Sequence, residues 1–136
     1  MSGRAAMSRG ETMKDSPFQP IEPGRVVAES ELAVAFYDRF PVSPGHTLVV
    51  PKRVVACLFE LAPEERAAVW ELVAVVRERL AREYRPDGFN VGLNDGPVAG
   101  QTVMHAHVHV IPRYRGDQAE PEGGVRGVIP EKRRYR

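Results

Sequence analysis

Three of the four histidines stand at alternate positions in the run His105-Ala106-His107-Val108-His109-Val110-Ile111-Pro112, and the fourth is His46. On an extended strand, side chains alternate between faces and each residue advances about 3.3 Å. The three rings are therefore expected on one face, roughly 6.6 Å apart, with Ala106, Val108 and Val110 on the other. Three readings follow. The run could be the polar side of an exposed edge strand, although so concentrated a use of a scarce residue speaks against that. It could hold a metal, because neutral imidazoles at alternate strand positions can converge on zinc or another transition metal; no Asp or Glu lies within or just after the run to complete such a site. The third reading is nucleophilic catalysis at phosphorus. With a reference pKa of about 6.5, roughly three-quarters of an imidazole is neutral at pH 7, so it can attack without a separate base. Phosphoryl chemistry then needs positioning and donors for the phosphate oxygens. Gly100-Gln101-Thr102, just upstream, offers close backbone approach, an amide and a hydroxyl.

These residues must be held by a scaffold, and its elements are legible. Residues 25–29 and 32–37 read as two strands of a hairpin, and His46-Thr47-Leu48-Val49-Val50-Pro51 as a third. Pro63 suits the first position of a helix, where its missing N–H would be unpaired anyway, and Glu64 and Glu65 meet the positive end of the helix dipole. Val69, Leu72, Val73, Val76 and Leu80 form one apolar stripe while Arg66, Glu71, Arg77, Glu78 and Arg82 lie off it. Arg85-Pro86-Asp87-Gly88 ends that helix. Phe89-Asn90-Val91-Gly92-Leu93 reads as a fourth strand, and a turn-rich loop, residues 94–100, leads into a fifth near residues 103–112. Strands around one long helix, without βαβ alternation, predict an α+β fold with a mostly antiparallel sheet. Trp70 is expected to pack on the helix, and Cys57 to be a buried apolar filler.

The bulk numbers are compatible with one domain. The chain of 136 residues is 43% hydrophobic and 27% charged, with a net charge of +1, so it has no global field that would draw nucleic acid or a membrane. The single cysteine, Cys57, excludes a disulfide framework, which suits the reducing cytoplasm. No apolar run reaches membrane-spanning length, and the first residues lack a signal-peptide hydrophobic region. The expected organisation is a disordered extension over 1–20, a domain over 21–115 and a basic tail over 116–136.

Residues 94–113, with Gly100-Gln101-Thr102-Val103 before His105, His107 and His109, resemble the histidine triad family. Asp38 and Pro44-Gly45-His46-Thr47-Leu48-Val49-Val50-Pro51-Lys52 match that family's nucleotide-binding half, so the resemblance covers roughly residues 26–114. Asp95-Gly96-Pro97 through Val103 look closest to the dinucleoside polyphosphate hydrolase branch that includes the fragile histidine triad proteins. The resemblance implies a five-stranded sheet joined to a second copy's sheet across a homodimer. It implies hydrolysis of an adenosine-containing or other purine nucleotide substrate at the α-phosphate, through a nucleotidyl-histidine on His107. His109 would donate to the phosphate; His105 and His46 would orient the nucleophile, His105 partly through its carbonyl. Asn94, Gly100, Gln101 and Thr102 would complete the phosphate pocket, Asp38 would bind the ribose hydroxyls, and Leu48 could line the base pocket. No protein-bound metal or cofactor is implied, magnesium entering only with a polyphosphate substrate. A nucleotide-binding regulator with negligible turnover and a phosphorylase are the alternatives. Family members often carry another histidine soon after the Pro-Lys pair; here Val54 and Val55 follow Pro51-Lys52-Arg53, so a metal site built on that residue is not expected.

Overall fold

The computed structural model describes Met13 and residues 15–135. Five strands, β1 (Val26–Glu29), β2 (Ala33–Tyr37), β3 (Thr47–Pro51), β4 (Gly88–Gly92) and β5 (Val108–Arg113), form one sheet in the order β1-β2-β3-β5-β4. Every neighbouring pair is antiparallel, and a register shift between Val26 and Ala28 interrupts the β1–β2 ladder. The one α-helix among the described residues, α1 (Pro63–Tyr84), crosses one face of the sheet and touches β1, β2, β3 and β5.

The predicted stripe on α1 is what packs. Val69, Val76 and Leu80 are fully buried with Leu72 and Val73 beside them, against Ala33 and Ala35 of β2, Val49 of β3 and Val108 and Val110 of β5. Ala62 has no side chain with which to cap α1, so Glu65 takes that role. Its carboxylate accepts the Ala62 N–H at 2.9 Å and is held by both nitrogens of the Arg53 fork at 2.9 and 3.0 Å. Arg85 ends the helix in the left-handed conformation.

Alternation sends Val34 and Phe36 of β2 and Leu48 and Val50 of β3 to the other face, where they form a second, smaller core with Met13. This corrects the expected extension over 1–20: of its described residues, Met13 and Ser16 are buried and Phe18 packs against the second core. An apolar sheet face must be covered, and among the described residues Met13 and Phe18 cover it where no helix lies. Residues 1–12 and 14 lie outside the described residues.

The expectations for β5, His46, Trp70 and Cys57 also shift. β5 begins at Val108, not near Val103, because the chain before it turns through Gly100 and is held from outside the sheet, the Ala106 N–H reaching the Val55 carbonyl at 2.7 Å. His46 lies just outside β3. Trp70 is 42% exposed and Cys57 half-buried, so neither fills the core. The basic tail is folded on itself: Arg113 grips Asp117 at 2.7 and 2.8 Å, Arg134 pairs with Glu120, and short 3-10 turns cover Gly124–Val128 and Pro130–Lys132. Among the described residues, no helix is long and apolar enough to cross a membrane.

Candidate active site

Phe36 of β2 pairs with Leu48 of β3, which pairs with His109 of β5, which pairs with Gly92 of β4. Directly opposed residues share a face, so one row across the sheet runs from an apolar end to an imidazole. Above this row lies a cleft of about 380 Å³. Asp38, Leu48, His107 and His109 line it, and Asn94, Gly100, Gln101 and Thr102 enter from the loop ahead of β5. His46 and His105 stand behind its wall, 3% and 0% exposed.

The partners of each ring assign its proton. A carbonyl only accepts, so His107 Nδ1, 2.7 Å from the His105 carbonyl oxygen, carries the proton and Nε2 keeps its lone pair. His105 Nε2 likewise donates to the Pro51 carbonyl at 2.7 Å, leaving Nδ1 to accept from the Ser16 hydroxyl at 2.6 Å. A backbone N–H only donates, so His46 Nδ1, which accepts from Val42 at 3.1 Å, is unprotonated; Nε2–H then donates to His109 Nδ1 at 2.9 Å. His109 is left with its proton on Nε2. Burial, foremost, lowers the pKa values of His46 and His105 and takes His109 down to about 4, against the opposing pull of the Asp38 carboxylate on His46 and His109 and of the Pro51 carbonyl on His105. These three rings are neutral at pH 7 and act as oriented dipoles.

The rings do not lie as the spacing of a regular strand predicts. The His107 and His109 centroids are 5.1 Å apart, while His105 is turned inward, away from the cleft. Only His109 belongs to the regular strand. The His105 and His107 backbone precedes it, free of the ladder that would have kept three rings in file.

The backbone engages one side chain that the sequence assigned to the phosphate pocket. Gln101 lines the cleft, but its amide is engaged by backbone on both sides: Oε1 accepts from Gly96 N–H at 2.9 Å, and Nε2 donates to the carbonyls of Ala56, ahead of α1, and Val103 at 2.9 and 3.1 Å. Its work is to shape the loop rather than to meet a phosphate oxygen. Gly100 completes that bend at φ +104°, a conformation few other residues adopt. Asp38, 19% exposed at its side chain, accepts the Phe40 N–H with one oxygen and sits 3.5 Å from His46 Nε2 with the other.

Asp38, His46 and His109 form the one cluster among the described residues whose ligand atoms, all within 4.8 Å of one another, could hold a metal ion. In the neutral network a proton already occupies the space between His46 and His109, and an ion would have to displace it. Sequence reasoning missed the rest of the cleft wall. Phe18 stands edge-on to His107 with centroids 5.2 Å apart, and Arg25, Phe36, Arg39 and Phe40 also line the cleft. Phe36 carried a signal, because it shares a strand face with Val34. Phe18 lies in a segment without periodicity, which hid it.

A HIT domain family model matches residues 19–116. The chain is 38% identical over 96 residues to an asymmetrical bis(5'-nucleosyl)-tetraphosphatase of Schizosaccharomyces pombe, covering 71% of this chain and 53% of that one. It is 38% identical over 122 residues to an AP-4-A phosphorylase of Mycobacterium tuberculosis, covering 83% and 63%. The chain thus spans less than two-thirds of either relative. A solved structure from Streptococcus mutans UA159 superposes with a TM-score of 0.70 at 32% identity, over 96% of this chain and 94% of that one. The triad, the loop that precedes it and the domain match over 19–116 agree, and the chain belongs to the histidine triad family.

Proposed function

We propose that this protein hydrolyses nucleotidyl substrates at the α-phosphate, its substrates being adenosine-containing dinucleoside polyphosphates or nucleoside phosphoramidates. The observation that carries the reading is the bond from His107 Nδ1–H to the His105 carbonyl, which leaves the Nε2 lone pair available in a cleft that His109 also lines. The lone pair attacks the α-phosphorus; an N–P bond forms as the bond to the leaving phosphate or amine breaks. The His105 carbonyl stabilises the positive charge that develops on the His107 ring. His109 Nε2–H supplies a donor for the phosphate oxygens, and His46 keeps that proton in place. Water then attacks phosphorus, the N–P bond breaks, and a nucleoside monophosphate leaves. Asp38 takes the ribose hydroxyls, and Phe36 and Leu48 form one wall for the base. Magnesium belongs to this reading as the substrate's counterion, where it neutralises a polyphosphate chain. So do a homodimer and action in the cytoplasm.

The test is mass spectrometry of protein quenched during turnover of diadenosine tetraphosphate. An AMP adduct is expected on His107 and is expected to vanish in His107→Gly. Mononucleotide binding with neither adduct nor turnover would replace the hydrolase with a regulatory binding module. A phosphorylase is the second reading, favoured by the share of this chain that aligns with the AP-4-A phosphorylase. Turnover with added inorganic phosphate separates the two: the phosphorylase releases ADP where the hydrolase releases AMP.

A further inference from the structure

Ser16 lies 89 residues before the ring it touches, in a segment that has no place in the sheet. It is 7% exposed, and its neighbours build a turn around it: Ser16 N–H donates to the Met13 carbonyl at 2.9 Å, Gln19 N–H to the Ser16 carbonyl at 3.1 Å, and Phe18 N–H to the Ser16 hydroxyl at 3.0 Å. The hydroxyl oxygen accepts from Phe18, so its own proton is directed elsewhere. It points at His105 Nδ1, 2.6 Å away, a nitrogen whose lone pair is fixed by the opposite Nε2–H bond to Pro51.

The consequence reaches the nucleophile. The His105 carbonyl holds the His107 Nδ1 proton, yet His105 precedes β5 and no strand ladder anchors it. His105 is held twice: the peptide that carries its carbonyl is pinned through the Ala106 N–H to the Val55 carbonyl at 2.7 Å, and its ring, which sets the position of the residue as a whole, is tied at one nitrogen to Ser16 and at the other to Pro51. We propose that Ser16 is a positioning residue for the reaction: its hydroxyl clamps the His105 ring, and through the His105 carbonyl it fixes the tautomer and aim of His107. Phe18, two residues on, bears on the same assembly with its ring edge-on to His107.

This inference rests on His107 acting as the nucleophile, and its test is divided so that either can fail alone. Long-range ¹⁵N–¹H spectra of the imidazoles read the tautomers without substrate. In the wild-type protein the proton is expected on His105 Nε2 and on His107 Nδ1; a neutral His105 protonated on Nδ1 overturns the proposal, because Ser16 then cannot donate to it. In Ser16→Ala, His107 is expected to populate both tautomers and kcat on diadenosine tetraphosphate to fall about tenfold, with KM within about twofold. Ser16→Thr, which keeps the hydroxyl, is expected to restore both. If Ser16→Ala raises KM and leaves kcat and the His107 tautomer unchanged, Ser16 merely shapes the cleft and the proposal fails. Wild-type protein with the expected tautomers but no turnover and no adduct defeats the hydrolase reading instead.

Discussion

At the scale of residues, the site is a problem in proton placement. Four imidazoles lie close together, and three receive their tautomer from a group that cannot change its own role, a carbonyl for His105 and His107 and a backbone N–H for His46; His46, once set, passes its tautomer on to His109. Burial keeps His46, His105 and His109 neutral, and this has a cost in acid. The folded His109 value is about 4 against an ordinary 6.5, so between these values the unfolded chain binds more protons than the folded one. Stability from His109 is therefore fully present above about pH 6.5 and is lost as the pH falls toward about 4, with His46 and His105 acting in the same direction. Thermal unfolding followed between about pH 7.5 and about pH 4.5 should show a falling midpoint. His109→Gln should flatten that fall, and a variant as acid-sensitive as the wild type would refute the assignment.

At the scale of elements, the structure turns on how a few irregular segments deliver side chains to regular ones. Gly45 is one such point. It stands at φ +91° just before His46, and a Cβ there would meet Pro112 and the Tyr84 ring at 3.2 Å. The positive φ costs an alanine about 1–3 kcal/mol, and the crowding adds to it. Gly45→Ala should therefore lower the unfolding free energy measured by urea titration by at least about 1 kcal/mol. It should also weaken the His46–His109 bond, seen as exchange broadening of the His109 imidazole signals. A variant of unchanged stability would show that the turn relaxes without strain. The same logic explains a limit of reading strands from alternation. The run from His105 to His109 alternates in sequence, but a strand also needs a partner ladder, and that ladder starts only at Val108.

At the scale of the whole molecule, β4 lies at one end of the sheet with Val91 38% exposed, and α1 leaves Trp70 and Val75 42% and 43% exposed on its outer side. An open strand edge and exposed apolar side chains are what association with a second copy would cover. If the homodimer proposed above forms, sedimentation equilibrium at micromolar protein gives twice the 15.1 kDa chain mass, and a value of one chain mass rules it out.

The amino-acid sequence by itself determined the α+β class, the one long helix and its buried stripe, and the loop and histidines that compose the cleft. It could do so because these depend on local periodicity, glycine and proline stereochemistry, and the chemistry of residue types close together along the chain. Only the tertiary structure decided which imidazoles face the cleft, which nitrogen of each carries a proton, that the Gln101 amide is bonded to Gly96, Val103 and the distant Ala56, and that Ser16 and Phe18 of the leading segment reach the triad. Those outcomes depend on backbone and side-chain geometry that exists only in the folded chain, whether the partners are two residues apart, as His105 and His107 are, or far apart. Ser16 and His105 are 89 residues apart, and no local pattern encodes a pairing that exists only after both sheet faces are covered.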